Sequence, residues 1–306
     1  MLQKTIMKRI ILLQVLMTLW LQQPVQAQTA DSLITLPGEG FTVQYSNGHR
    51  ERAVAISLRI EKAMAAYSQL LHFTPTVTLL VLSTADWSRY TRFPVYGMPH
   101  YTGEKVLVVA AEDNAFWKSF LPPPDQLPAA IRASVQTVYS DGNGGVSMRA
   151  FFDLLALHEL GHAFHFQGKL TMQRKWLGEL FANILLHTYV AEHEPEALPA
   201  LTLFPQMVVG GGSSAFTYTS LKDIEERYEE IGQQYPKNYG WYQCRWHLAA
   251  KNIYDSAGKQ AAQKLWEALQ NNQAQLSDEQ LPGFLETQAH KAIADVMNNW
   301  ERDMVK

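Results

Sequence analysis

The residues with the clearest chemical potential are two histidines and a glutamate in the string His158-Glu159-Leu160-Gly161-His162. On an α-helix, side chains four residues apart lie on one face about one turn from each other, so both imidazoles can point at the same ion. Imidazole nitrogen is a common zinc ligand, and a neighbouring carboxylate can take a proton from a water that the metal makes acidic. The spacing therefore predicts a zinc hydrolase site in which His158 and His162 bind the metal and Glu159 is the general base.

A catalytic zinc ion usually has three protein ligands, so a third ligand has to come from elsewhere in the chain. Glu179 lies in the string 176–183, after a stretch long enough for a turn and an antiparallel return. Asn183 follows it by one helical turn, and its amide oxygen can accept a hydrogen bond from a ligating imidazole. We therefore predict that Glu179 is the third ligand and that Asn183 orients one of the histidines.

His165 is a poor candidate for a ligand, although it follows His162 closely. Positions 158 and 165 are about 10 Å apart along a helix axis, whereas nitrogen binds zinc at about 2 Å. We expect His165 to pack or to support other residues. Cys244 is the single cysteine, so the chain has neither a cysteine-based zinc site nor an internal disulfide.

Two helices that face each other are needed to bring these residues together. From 148 to 166 the chain has no proline and one glycine, and leucines are interleaved with polar residues. This pattern predicts one continuous helix that carries the HExxH motif. The apolar stretch from 174 to 192 predicts the helix that carries Glu179 and Asn183.

The chain before the motif helix predicts a small mixed sheet. Residues 41–45 and 76–82 are typical of strands and flank a helical pattern, while 95–111 predict a hairpin that turns at Thr102-Gly103. Proline- and glycine-rich strings between 121 and 145 mark a boundary, after which nearly everything is helical. The expected fold class is α+β, with a sheet lobe at 41–145, a mostly helical lobe at 146–306, and the zinc site between the two lobes.

The N-terminal residues 1–27 are typical of a signal peptide. Lys4, Lys8 and Arg9 precede an apolar run too short to span a bilayer comfortably, and Val25-Gln26-Ala27 is a small-x-small cleavage site. Residues 28–40 read as a tether. We therefore expect a secreted or periplasmic protein that is not stably inserted in a membrane after cleavage. The formal net charge of −3 does not favour a nucleic-acid partner.

The strings HELGH at 158–162 and GELFAN at 178–183 resemble those of the gluzincin clan of zinc metallopeptidases, which includes thermolysin and the membrane-alanyl aminopeptidases. The resemblance implies a thermolysin-like catalytic domain over 41–306, Zn²⁺ as cofactor, and a peptide or protein as substrate. Clan aminopeptidases carry a GxMEN motif before HExxH. The nearest string here, at 97–101, lacks the acid of that motif, so amino-end specificity loses support.

Clan members also use a tyrosine or histidine some way after the third ligand to stabilise the oxyanion that forms on the attacked carbonyl. The resemblance offers three candidates in the string 238–247, namely Tyr242, Tyr239 and His247. Tyr242 is the preferred one, because it opens a helix that ends at Gly258, as in the aminopeptidase-like branch. A hydrogen-bond donor aimed at such an oxygen is worth a few kcal/mol.

These observations predict a secreted or periplasmic zinc metallopeptidase. Two alternatives remain open at this stage: a peptidase-like module that binds peptide or envelope polymer without turnover, and a zinc hydrolase of a non-peptide amide. The preference for particular side chains, the choice between endo- and exopeptidase, and the oligomeric state do not follow from the sequence.

Overall fold

A mixed five-stranded sheet forms the first part of the chain. The structure, a computed structural model, describes residues 32–37, 40–121 and 124–302. The strands are in the order β1-β2-β3-β5-β4, with β2, β3 and β5 parallel and the two edge strands antiparallel to their neighbours. Their bounds are β1 (Ile34–Leu36), β2 (Thr42–Tyr45), β3 (Thr78–Leu82), β4 (His100–Thr102) and β5 (Val106–Ala110).

The centre of the sheet consists of two nearly continuous apolar strands. The sequences TLLVL of β3 and VLVVA of β5 are buried almost throughout. Parallel strands that are covered on both faces characteristically read as such runs instead of alternating with polar residues. The edge strand β4 reads HYT and is only half-buried. This strand leaves one side of its backbone available to other parts of the molecule.

Helices make up most of the remaining chain. In the described residues their bounds are α1 (Arg50–Leu71), α2 (Thr84–Tyr90), α3 (Ala115–Ser119), α4 (Ala129–Val138), α5 (Arg149–Gln167), α6 (Lys175–His193), α7 (Leu198–Gly210), α8 (Leu221–Glu226), α9 (Tyr228–Gln234), α10 (Pro236–Ala257), α11 (Gln260–Asn271), α12 (Leu281–Phe284) and α13 (Lys291–Asn299). A π-helical segment, Leu285–Ala289, lies between α12 and α13.

Helix α6 forms the core of the helical part. All of its residues from Trp176 to Val190 are buried, as expected of a helix that is apolar on every side. It packs against α1, α5, α7, α8, α10 and α11, while α5 also packs against α1, β4 and β5. Helix α5 therefore joins the sheet to the helical part, and residues from Ile34 onward form one compact unit.

The α+β class predicted from the sequence is confirmed, with a small mixed sheet followed by a mostly helical part. Two local features differ from the expectation. Residues 34–36 of the expected tether form β1 and pair with β2. Within the part of the chain expected to be nearly all helical, a break at Arg227 separates α8 from α9.

The predicted signal peptide lies outside the described residues, as do residues 28–31 and 38–39 of the tether. Among the helices that the structure describes, none is long and apolar enough to cross a membrane.

Candidate metal centre

The two motif helices approach each other closely because small residues line their contact. A Cβ atom placed on Gly161 of α5 would lie 3.1 Å from the Cα atom of Ala182 on α6, tighter than almost all real contacts. A Cβ atom on Gly178 would similarly lie 3.1 Å from Cε1 of His165. These two glycines, one in each motif, let the backbones come near enough for Glu179 to face the histidine pair.

His158, His162 and Glu179 converge on one point. The Nε2 atoms of the two histidines are 3.1 Å apart, and Oε2 of Glu179 lies 3.2 Å from the first and 3.6 Å from the second. Ligands of a tetrahedral ion bound at about 2.1 Å are separated by about 3.4 Å. The three side chains thus form a group that could hold a metal ion. His158 and Glu179 are buried, whereas His162 is partly exposed.

Asn183 fixes the orientation of His158. Its side-chain nitrogen donates to the backbone carbonyl of Glu179 at 3.1 Å, so its oxygen faces Nδ1 of His158 at 3.2 Å. Nδ1 therefore carries the proton, which leaves the lone pair of Nε2 free for an ion. Nδ1 of His162 is buried and has no hydrogen-bond partner among the described residues.

Both oxygens of Glu179 accept hydrogen bonds from outside the motif helix. Tyr228 donates its hydroxyl to Oε1 at 2.6 Å, and Nε2 of Gln243 donates to Oε2 at 2.7 Å. The hydroxyl of Tyr239 lies 2.9 Å from that of Tyr228 and also accepts from Gln243 at 2.9 Å. Helices α9 and α10 thereby hold the carboxylate in one orientation.

The electrostatics of this group favour an ionised Glu179 beside neutral phenols. Burial acts to raise the pKa of Glu179, but the charges and hydrogen bonds of His162 and His158 outweigh it and hold that pKa well below its usual range. Burial, followed by the charge of Glu179, raises the pKa of Tyr228 far above its usual range. Tyr228 therefore keeps its proton and remains a hydrogen-bond donor to the carboxylate.

Glu159 lies beside the triad and is held by the edge strand. Its Oε2 accepts a hydrogen bond from the backbone N–H of Tyr101 in β4 at 2.9 Å. Burial, reinforced by the charge of Glu179, raises the pKa of Glu159 to about 7, although His162 and the Tyr101 amide act in the opposite direction. A carboxyl group with such a pKa can both take and give up a proton near neutrality.

The structure does not bring Tyr242 to the triad, which corrects the preferred assignment of the oxyanion donor. The ring of Tyr242 packs among Trp241, Trp246 and Trp300, and its hydroxyl donates to the backbone carbonyl of Ser220 at 2.8 Å. On helix α10, Tyr242 and Tyr239 face different neighbours because three residues correspond to about 300° of rotation. Tyr239 is the one that reaches the network around Glu179.

The two remaining histidine candidates stay neutral and outside the triad. His247 is buried with its ring centroid 6.4 Å from that of His158, and burial lowers its pKa to about 3. His165 packs against Phe166, and burial lowers its pKa to about 4. The packing role expected for His165 agrees with this placement.

Three contacts around the site were not predicted from the sequence: those of Tyr228, Gln243 and the Tyr101 amide. Tyr228 sits in the charged run 223–230, and such a run usually forms a solvated helix face. The single aromatic residue within that run was the available signal, since burial of its ring is favourable when its hydroxyl finds a partner. Gln243 carried no comparable signal.

Neither a family model, nor a curated protein, nor a solved structure matches this chain. The functional assignment therefore rests on the residues of the site. Two imidazole nitrogens and one carboxylate oxygen, with a second carboxylate alongside, suit a divalent metal and a hydrolytic reaction.

Proposed function

We propose that this protein is a zinc-dependent peptidase of the gluzincin type, in which His158, His162 and Glu179 hold the metal and Glu159 is the general base. The observation that carries the proposal is the convergence of the three ligand atoms, 3.1 to 3.6 Å apart, beside a second carboxylate. In this proposal the sheet and the motif helices form a thermolysin-like catalytic domain.

The donor set favours zinc over harder cations. Calcium and magnesium prefer six or more oxygen ligands, whereas two imidazoles and one carboxylate are a frequent catalytic zinc set with one position left open. When bound, the metal would polarise the substrate carbonyl and lower the pKa of a water nucleophile.

Residues of the chain would then transfer the protons and stabilise the negative charge that develops on the substrate. Glu159, held in place by the Tyr101 amide, would accept a proton from the attacking water and pass it to the leaving nitrogen. Because the hydroxyl of Tyr228 donates to Glu179, the hydroxyl of Tyr239, 2.9 Å from it, is the phenol that would turn to the oxyanion. In the proposal Tyr239 replaces Tyr242 in that role.

The free edge of β4 supports a peptide as substrate. Among the described strands, β4 pairs with β5 on one side only; on its other side the N–H of Tyr101 donates to Glu159, and the carbonyl of Tyr101 faces the same way. An extended peptide can add to such an edge as a further strand. It would then run past Glu159 and the triad.

Metal content and cleavage together test the proposal. Purified protein should contain about one zinc ion per chain and cut members of a peptide library. Glu159→Gln should keep the metal and lose cleavage, whereas Glu61→Gln, a change at an exposed position of α1, should keep both. Protein that contains no zinc after purification in zinc-supplemented medium would refute the proposal, and zinc without peptide cleavage would favour a binding module or another amide substrate.

Export from the cytoplasm is a separate part of the proposal and rests on the sequence of residues 1–27. Amino-terminal sequencing of protein recovered from the periplasm or medium should show a chain that begins after Ala27. Recovery of uncut chain from the cytoplasm alone would contradict export without affecting the metal site.

A further inference from the structure

Phe166 is exposed although the other phenylalanines of the same helix are buried. Its side chain lies in the last turn of α5 and is 62% exposed, while Phe151, Phe152 and Phe164 are at most 4% exposed. Leaving a large apolar side chain in water forgoes about 1.5–3 kcal/mol of burial free energy. A single exposed phenylalanine is common on protein surfaces. Phe166 differs in the residues that its ring contacts and in its position beside the candidate metal centre.

The ring of Phe166 lies against two other rings. It stacks on His165 with ring centroids 4.4 Å apart and on Tyr101 at 6.2 Å. Gln167 donates to the hydroxyl of Tyr101 at 2.9 Å and to the carbonyl of Thr76 at 2.8 Å, so the Tyr101 ring is anchored as well. Aromatic rings that already pack against each other lose less conformational entropy when a ligand covers them than freely rotating side chains do.

The end of α5 is also fixed to the core. A Cβ atom on Gly168 would lie 2.1 Å from Cη2 of Trp266, so the chain passes directly over the indole of α11. Phe166 therefore projects from a helix end that cannot shift without disturbing the packing of α11.

Phe166 and Tyr101 both border the candidate metal centre. Phe166 follows His162 by one helical turn, and the two ring centroids are 6.0 Å apart. Tyr101 contributes its ring to the aromatic stack and its backbone N–H to Glu159. Phe166 and Tyr101 therefore lie beside Glu159 and the strand β4 along which a substrate would run in the proposal.

We propose that Phe166 and Tyr101 form a subsite that selects a large apolar side chain next to the bond that is cut. The inference rests on the proposed peptidase function and adds a substrate class to it. Phe166 is a specificity-determining residue here, because it contacts a substrate side chain and not the reacting atoms. A charged side chain would lose its hydration against this surface without gaining a partner.

Cleavage-site profiling of a peptide library by mass spectrometry tests the subsite. For the wild type, we expect one position next to the cut bond to be enriched in Phe, Leu, Met or Tyr over Asp and Lys by about tenfold or more. Phe166→Ser should reduce that enrichment to about threefold or less. Phe166→Lys should reverse it in favour of Asp and Glu, a change that loss of folding alone cannot produce.

Leu58→Ala is the matched control, because Leu58 on α1 is also a large apolar residue that is 50% exposed. Its cleavage profile should equal that of the wild type. An unchanged profile in both Phe166 variants would overturn the subsite while leaving the peptidase function intact.

A binding measurement separates failure of the subsite from failure of the function. Fluorescence anisotropy of labelled peptides on Glu159→Gln protein, with and without Phe166→Ser, does not require turnover. If no peptide is cut by the wild type, tenfold weaker binding of a Phe-containing peptide after Phe166→Ser would still support the subsite. Equal binding by the two proteins would refute it.

Discussion

Gly161 of α5 and Ala182 of α6 meet almost backbone to backbone, since a Cβ atom on the glycine would lie 3.1 Å from the alanine Cα. The contact connects the HExxH helix to the helix that supplies Glu179. The separation of the two helices at this point sets the distance between the histidine nitrogens and the glutamate oxygen.

Replacement of Gly161 by alanine should therefore weaken the metal site. The extra methyl group has to push α5 and α6 apart by a few tenths of an ångström, and overpacking of this kind costs about 1–3 kcal/mol. That cost exceeds the gain of up to about 1 kcal/mol from replacing a helical glycine. Gly161→Ala should lower both zinc affinity and the free energy of unfolding, measured by chelator competition and urea denaturation.

Gly240→Ala is the control for the first prediction. Gly240 lies inside α10, and an added Cβ atom would meet nothing within 4 Å. The substitution should stabilise the protein by about 0.5–1 kcal/mol and leave zinc affinity unchanged. If Gly161→Ala and Gly240→Ala change zinc affinity and unfolding free energy equally, the contact with Ala182 does not control the site.

The hydroxyl of Tyr228 should contribute to metal affinity, because it holds one oxygen of Glu179 at 2.6 Å. Loss of a hydrogen bond that orients a ligand typically costs 10- to 100-fold in affinity. Tyr228→Phe should therefore weaken zinc binding by about that factor in competition with a chelating dye. Tyr254→Phe removes a 2.7 Å hydrogen bond to Glu192 in another part of the molecule and should leave zinc affinity unchanged. A Tyr228→Phe variant that binds zinc as tightly as the wild type would contradict the role of Tyr228.

Arg52 and Asp153 form a largely buried ion pair between α1 and α5. Nη1 of the arginine donates to Oδ2 of the aspartate at 2.9 Å, and the side chains are only 9% and 14% exposed. Arg52→Leu should cost about 3 kcal/mol of unfolding free energy, because it leaves a buried carboxylate without its main partner. Asp153→Leu should lower the free energy of unfolding by a similar amount. The double variant should lose at least about 1 kcal/mol less than the two single variants lose together.

The exposed pair Lys251–Asp255 provides the comparison for this cycle. Its coupling energy should be at most about 0.5 kcal/mol. If the losses of unfolding free energy at Arg52 and Asp153, measured by urea denaturation, simply add in the double variant, the two residues stabilise the protein independently and the prediction is wrong.

His187 should make the protein sensitive to mild acid. Burial lowers the pKa of His187 to about 4, against an ordinary value of about 6.5. The unfolded chain therefore takes up a proton that the folded chain refuses, and stability falls as the pH drops from about 6.5 to about 4. The loss attributable to this group is at most about 3 kcal/mol.

The pH experiment compares His187→Gln with His193→Gln, which changes an exposed histidine of the same helix. Metal-free protein is used, so that loss of a bound ion does not contribute. The free energy of unfolding of His187→Gln should fall less steeply between pH 6.5 and 4 than that of the wild type or the control. Parallel curves for all three proteins would refute the prediction.

The sequence by itself determined the α+β class and the pairing of His158 with His162, because both follow from local patterns of residues. The spacing of His158 and His162 places them on one helical face wherever that helix packs. Continuous apolar runs likewise indicate the central strands β3 and β5 before any contact is known.

Only the tertiary structure decided which tyrosine reaches the triad and which ring lies beside Phe166. Tyr239 and Tyr242 lie on the same helix and have identical side chains, so their roles depend on how α10 packs against α6. Tyr228, the first residue of α9 after the break at Arg227, reaches Glu179 from a separate helix. Phe166 and Tyr101 meet because β4 lies against α5. Such contacts join residues far apart in the chain, and local propensity carries no information about them.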